Sequence, residues 1–276
     1  MKPAPFDYVR SATIEAASKR LTEGAGGAVI IAGGQSLMPL LALRVAPADV
    51  LVDINDIDAL RVTHRIAGGA RIGAGITHAE IEDGEIEDPS GGLMKRIAAG
   101  IAYRSIRNHG TIGGSVALAD PAADWPACLL ALGASVHVAG VSGNRTEPID
   151  DFLRGAYTTS LAVGEIIVAF DIPALQAGAR IGWSKVVRKS GAFAMSIGCV
   201  IREPSKRASV VLGGTTTRPM HMPETAVLVM RPVLPDEATL RSAIAGDLAH
   251  VAPDADNYQR RLHTATLLRA IREAAA

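Results

Sequence analysis

Two short stretches of the chain carry residue types that could bind an anion. The first is Ala32-Gly33-Gly34-Gln35-Ser36, directly after the β-branched run Val29-Ile30-Ile31. The second lies within Arg107 to Asp124, RNHGTIGGSVALADPAAD, where Thr111-Ile112 precede the adjacent glycines Gly113 and Gly114. Glycine weakens helix and strand alike, and Pro121 removes a donor that a central strand would need, so this second stretch is predicted to be a loop. Such a loop lets the backbone approach a ligand closely and aims bare N–H groups at negative charge. In the first stretch the side chains of Gln35 and Ser36 add further donors. Two loops of this kind in one chain predict one large ligand with a phosphate-bearing middle.

Other chemistries find less support. No lysine follows Gly33-Gly34, which excludes a Walker A loop, and neither stretch reads Gly-x-Gly-x-x-Gly. Gly73-x-Gly75 also fails that pattern, because His78 stands where the third glycine belongs. The seven histidines are scattered without metal-ligand spacing. Cys128 and Cys199 form no Cys-x-x-Cys pair, no iron–sulfur spacing and no disulfide framework. Ser36 and Ser115 lack the partners of a nucleophile elbow, which argues against hydrolysis. No metal ligand and no catalytic residue is therefore expected. Asp124, before Trp125-Pro126, reads as a helix cap. Lys185, Arg188 and Lys189 would ordinarily form a solvated face, but Lys185 follows Trp183 on a predicted strand and can point into a cleft.

The elements that must position these residues follow from pattern. The chain has 276 residues, 48% of them hydrophobic, and no net charge, enough for one large or two to three small domains. The neutral balance argues against a nucleic-acid partner. Met1 to Arg20 lacks the apolar core of a signal peptide and no run nears ~20 apolar residues, so no transmembrane segment and a cytoplasmic location are expected. A helix over Ser11–Leu21, a buried strand at Val29–Ile31, a helix opening at Leu37 and a strand at Val50–Ile54 give a βαβ-like start. Then come a strand at Ile72–Ile76, a helix opened by the capping box Thr77-x-x-Glu80, and a helix lined by Leu93, Ile97 and Ile101. A helix at Ala127–Leu132 and strands at Ser135–Val138 and Glu165–Ile172 follow. Three further strands, Gly182–Val187, Ala194–Ile201 and Ser209–Leu212, precede helices ending with Tyr258–Ala274, which suggests an α+β terminal domain.

Together these residues resemble a known family. Ala32 to Ser36 with Leu37-Met38-Pro39 and Leu43-Arg44 is similar to the first flavin loop of the FAD-binding medium subunit of molybdenum hydroxylases, the carbon monoxide dehydrogenase and xanthine dehydrogenase family. Arg107 through Ser115, with Ala119-Asp120-Pro121 and Asp124, resembles its second loop, and the likeness extends over essentially the whole chain. It implies an α+β protein with a two-subdomain FAD-binding fold of the vanillyl-alcohol-oxidase type. The subdomains, both expected to be α/β, would span 1–56 and 57–176, followed at 177–276 by an α+β domain built on a three-stranded sheet. It also implies residue roles. Ile31 to Leu37, Ala102 and Thr111, Gly113, Gly114, Ser115 and Ala117 would surround the cofactor, with backbone N–H and hydroxyl groups on its pyrophosphate. Asp124 would meet the nucleotide end, and Ile167 the ring. Lys185 would lie near the isoalloxazine, where a cation favours negative charge on the ring. Phe193 could cover a ring face.

Two departures stand out. Gln35 replaces the histidine of many relatives, and Gly191-Ala192 replaces a frequent Gly-Asp, which alters the electrostatics beside the flavin. Neither loop contains a cysteine, so FAD should be held non-covalently. The resemblance further implies a large molybdopterin-binding partner, a small [2Fe–2S] partner and an external electron acceptor. A self-sufficient FAD oxidase or reductase of the same fold is the alternative, and a non-redox nucleotide-binding protein a third.

Overall fold

The computed structural model describes residues 2–205 and 207–276. The first part of the chain comprises β1 (Asp7–Arg10), α1 (Ile14–Glu23), β2 (Ala28–Ile31), α2 (Leu37–Ala42) and β3 (Val50–Asp53). Its three strands form a parallel sheet in the order β1-β3-β2. Helix α1 starts where the Thr13 hydroxyl accepts the Ala16 N–H, and it buries Ala17 and Leu21 at helical spacing. Strand β2 is half-buried along its length rather than buried. Strand β1 has no hydrophobic pattern to announce it; Asp-Tyr-Val-Arg is an edge strand with mostly exposed side chains.

After a 3-10 turn at Asp58–Leu60 the chain forms β4 (Thr63–Ile66), β5 (Gly69–Gly73), α3 (His78–Asp83) and α4 (Leu93–Ala99). Next come α5 (Arg104–Arg107), α6 (Ile112–Leu118), α7 (Asp124–Leu132), β6 (Ser135–Gly140) and β7 (Gly143–Pro148). The short α8 (Ile149–Phe152), a hairpin of β8 (Leu153–Gly155) and β9 (Thr158–Thr159), and β10 (Ile166–Pro173) complete this part. The five-stranded sheet runs β4-β5-β10-β6-β7, and every pairing in it is antiparallel, unlike the α/β subdomain expected here. Strand β5 ends earlier than its apolar run suggests. Ala74 and Ile76 leave it to accept the Gly113 and Ile112 N–H groups at 2.9 and 3.0 Å.

The last part holds β11 (Arg180–Val187), β12 (Ala194–Arg202), β13 (Ala208–Gly213), β14 (Met220–His221), α9 (Pro223–Val229), α10 (Glu237–Val251) and α11 (Asn257–Glu273). Its antiparallel sheet has four strands rather than three. The addition, β14, is two residues pairing with Val211 and Leu212, too short to carry any periodicity.

Helix α7 is the element the core is built around. All nine of its residues are buried, as expected of a helix that is apolar on nearly every side. Its cluster includes Ile72 and Phe170 of the five-stranded sheet and Ile197 and Val211 of the last sheet. A second cluster, with Leu212, Ile244, Leu248, Leu267 and Ile271, lies beneath the C-terminal helices. No described helix is long and apolar enough to cross a membrane.

Candidate cofactor site

The first stretch is a true loop between β2, which ends at Ile31, and α2, which begins at Leu37. Among the described residues, the backbone N–H groups of Gly33, Gly34, Gln35 and Ser36 donate to no protein acceptor. They are the bare donors the sequence predicts. The Gln35 amide is not one of them: its Nε2 donates to Gly33 O at 2.7 Å, inside the loop. Asn55 Nδ2 anchors the loop by donating to Ala32 O at 2.9 Å and to Asp53 Oδ1 at 2.7 Å. Gly33 lies directly on the second stretch. A Cβ there would fall 2.0 Å from His109 O, so the two stretches touch backbone to backbone.

The second stretch is not the loop expected. Gly113 and Gly114 stand in the first turn of α6, with Thr111 as N-cap accepting the Gly114 N–H at 3.1 Å. Low helix propensity is overridden because the N–H groups of Ile112 and Gly113 find tertiary acceptors on Ile76 and Ala74, and Ser115 N–H bonds to Thr111 O. The backbone donors from Ile112 to Ser115 are thus occupied, and what these residues offer is shape and hydroxyl groups. A Cβ on Gly113 would sit 2.6 Å from both Cβ and O of Ala74, so this glycine lets α6 lie against the end of β5. Gly114 is different. It is exposed, as is Ala117 three residues on, and a Cβ there would meet only the Thr111 hydroxyl at 3.0 Å and Ala32 at 3.9 Å. One face of α6 is therefore a surface of small residues beside the N–H groups of the first loop.

A buried ion pair completes the site. Lys185 Nζ lies 2.7 Å from Asp124 Oδ2 and donates to Gly100 O at 3.3 Å, with the two side chains 13% and 7% exposed. Asp124 is the first residue of α7 and Ala123 is its N-cap, so the expected cap does not form; the carboxylate turns to Lys185 instead. The other oxygen, Oδ1, is buried and has no partner among the described residues. Burial pushes this carboxyl above its ordinary range, and Lys185 pulls it back. An orphaned acceptor of this kind can receive a ligand's N–H or O–H.

Two residues past Gly100, Ala102 holds a left-handed backbone with φ of 42°. Ile167 is buried beneath α6 in the cluster that holds Ile112 and Val116. Phe193 is 60% exposed, on the turn between β11 and β12, and among the described residues no hydrogen bond ties it to the two loops. That turn is held by Tyr103, whose hydroxyl donates to Ser190 O at 3.0 Å and whose ring lies where a Cβ of Gly191 would be.

Sequence reading gave no role to His78, Trp125, Asn55 or Tyr103. The capping box marks the start of α3, and both of its bonds are present, but nothing in the pattern separates a buried histidine from a surface one. The Trp125 indole donates to His78 Nδ1 at 3.0 Å, and the backbone N–H of His78 donates to Gly110 O at 2.9 Å. His78 thus links α7, through its ring, to the segment entering α6, through its backbone, and the ring carries its proton on Nε2. Burial, with Arg107 nearby, lowers its pKa from 6.5 to about 4. As pH falls below 6.5 the unfolded imidazole takes up a proton that the folded one refuses, so stability is lost between pH 6.5 and 4. The full shift is worth about 3 kcal/mol. Replacing His78 with Asn, which keeps an acceptor for the indole, should flatten this loss in urea unfolding at pH 6.5 and 4.5. An unchanged slope would assign the acid sensitivity to other groups.

Bare amides, small residues, hydroxyl groups and an orphaned carboxylate oxygen define a dinucleotide-binding protein whose cradle is made largely from backbone. This donor set fits a cofactor with a diphosphate bridge. The family model for the FAD-binding domain in molybdopterin dehydrogenase matches residues 4–175. The chain is 37% identical over 223 residues to the 6-hydroxypseudooxynicotine dehydrogenase complex subunit alpha of Paenarthrobacter nicotinovorans, covering 79% of this chain and 75% of that one. It is 32% identical to the glyceraldehyde dehydrogenase medium chain of Sulfolobus acidocaldarius, over 100% of both. A chain of carbon monoxide dehydrogenase from Hydrogenophaga pseudoflava superposes with a TM-score of 0.92 at 28% identity, over 100% of this chain and 99% of that one. The chain belongs to the FAD-binding medium subunits of the molybdenum hydroxylases, an oxidoreductase family, and its cofactor is FAD.

Proposed function

We propose that this chain is the electron-transfer subunit of a heterotrimeric molybdenum hydroxylase working in the cytoplasm. It takes electrons from [2Fe–2S] clusters of a small partner and passes them to an external acceptor, while a large molybdopterin-binding partner acts on the substrate. The observation that carries this reading is the end-to-end match, over 100% of both chains, with a protein named as a medium chain. Bound FAD supplies the capacity to accept and release electron pairs.

The chain's own residues bind and orient it. The N–H groups of Gly33 to Ser36 hold the diphosphate, with the Thr111 and Ser115 hydroxyls beside them, while Gly114 and Ala117 keep the α6 face flat enough for close approach. Ile31, Leu37, Ala102 and Ile167 shape the walls. Asp124 and Lys185, joined at 2.7 Å, must meet one and the same part of the cofactor, so the nucleotide-end role expected of Asp124 gives way to a place beside Lys185: Asp124 Oδ1 accepts there, Lys185 sets the charge next to the ring, and Phe193 covers one ring face. On this reading the chain has three domains, 1–56, 57–176 and 177–276, the first two gripping FAD and the third closing over it.

The test is turnover by the FAD-loaded chain alone against the complex it assembles into. Alone, it should accept electrons from dithionite and pass them to ferricyanide, yet leave a panel of aldehydes and nitrogen heteroaromatics untouched. The assembled complex should oxidise at least one of them. Comparable oxidation by the chain alone would sink the subunit reading and promote a self-sufficient flavoenzyme.

A further inference from the structure

Arg107 opens the second stretch but lies outside the cradle, and its side chain is only 11% exposed. Its guanidinium makes four bonds. Nε and Nη2 grip both carboxylate oxygens of Glu82 on α3, at 2.7 and 2.9 Å. Nη1 turns the other way and donates to Ile101 O at 2.9 Å and to Ala102 O at 3.3 Å. These two carbonyls belong to the turn between α4 and α5, where Ala102 is left-handed with φ of 42° although it is not glycine. A residue with a Cβ is disfavoured in that conformation and persists there only when its surroundings hold it.

The turn matters because two contacts from the last sheet end on it. Gly100 O receives Lys185 Nζ, and Tyr103 reaches Ser190 O. Neighbouring Arg104 also pairs with Glu82, but its remaining bonds go to Asp83 and Asn108 and none reaches the turn. We propose that Arg107 is a positioning residue, clamping the left-handed turn Gly100–Ala102 to Glu82 so that the turn and Lys185 stand correctly for FAD. The inference rests on the reading that this turn and Lys185 face the cofactor. Only a planar fork can bind a carboxylate with one edge and two carbonyls with another; an ammonium cannot.

The experiment uses the full chain, with FAD affinity read from quenching of flavin fluorescence and melting temperature measured without FAD. Arg107→Lys should bind FAD at least tenfold more weakly. Adding Ala102→Gly to that variant should recover most of the loss, because glycine takes the left-handed conformation unaided. A merely structural arginine would not be rescued this way. Undiminished affinity in Arg107→Lys would overturn the proposal, and so would a loss that Ala102→Gly fails to recover. If Arg107→Lys does not fold, Glu82→Gln, which weakens the anchor, takes its place with the same two outcomes. Failure of the unsubstituted chain to take up FAD would instead bring down the function proposed above, and this inference with it.

Discussion

Replacing Gly114 with valine should give a folded chain that no longer retains FAD. Gly114 has ordinary helical φ, so the backbone itself tolerates a side chain, and the effect must come from space. Within the protein a new Cβ would crowd only the Thr111 hydroxyl, which must give by a few tenths of an ångström while it keeps its cap on the Gly114 N–H, so the cofactor-free stability should change by about 1 kcal/mol. The rest of the isopropyl group would stand on the exposed face of α6 beside Ala32, in the space a diphosphate on the Gly33–Ser36 amides would use. The same change at Gly113 should act differently. There the new Cβ meets the Cβ and carbonyl oxygen of Ala74 at 2.6 Å, and the backbone cannot swing aside. Overpacking should cost about 1–3 kcal/mol or more, and the loss should appear in the melting temperature before any cofactor is added. Flavin absorbance after gel filtration, with melting curves of the FAD-free variants, separates the two. Near-normal FAD affinity in a folded Gly114→Val chain would show that this face of α6 does not meet the diphosphate.

Lys185→Met should destabilise the chain by about 3–5 kcal/mol at neutral pH, the usual effect of leaving one half of a buried pair without its partner. Asp124 is 7% exposed, its Oδ1 already lacks a donor, and the substitution would strip Oδ2 as well. The sign of the pH dependence follows. Burial already raises the Asp124 carboxyl above 3.8, and removing Lys185 takes away the opposing influence. The folded variant would then hold a proton that the unfolded chain releases, so its stability should rise as pH falls from neutral towards 4. Adding Asp124→Asn removes the charge and should recover most of the loss at pH 7. Urea unfolding of the two single variants and the double variant gives the coupling directly. If the double variant is as unstable as Lys185→Met, the pair is not coupled and the cost lies in packing around the aliphatic stem of the lysine.

Much of the fold is written locally. The helical spacing of Ala17 and Leu21, the Thr77–Glu80 capping box and the strands from Gly182 to Leu212 are short-range features, and each element forms where its pattern lies. Edge strands such as β1 and the two-residue β14 carry no such pattern, because half-exposed or very short strands need no regular alternation of apolar residues. The pairing of β10 between β5 and β6 is equally invisible, since its partners lie some 100 and 30 residues away in the chain.

The site divides along the same line. The sequence by itself determined where the small residues of both stretches lie, and the free amides of Gly33 to Ser36 follow from a glycine loop placed after a strand. Only the tertiary structure decided that Gly113 and Gly114 lie in a helix, because the acceptors that stabilise it, Ala74 and Ile76, come from another segment. It likewise decided that Asp124 pairs with Lys185 rather than capping its own helix. A carboxylate largely withdrawn from water needs a cation close by, and the fold supplies Lys185 of β11 at 2.7 Å.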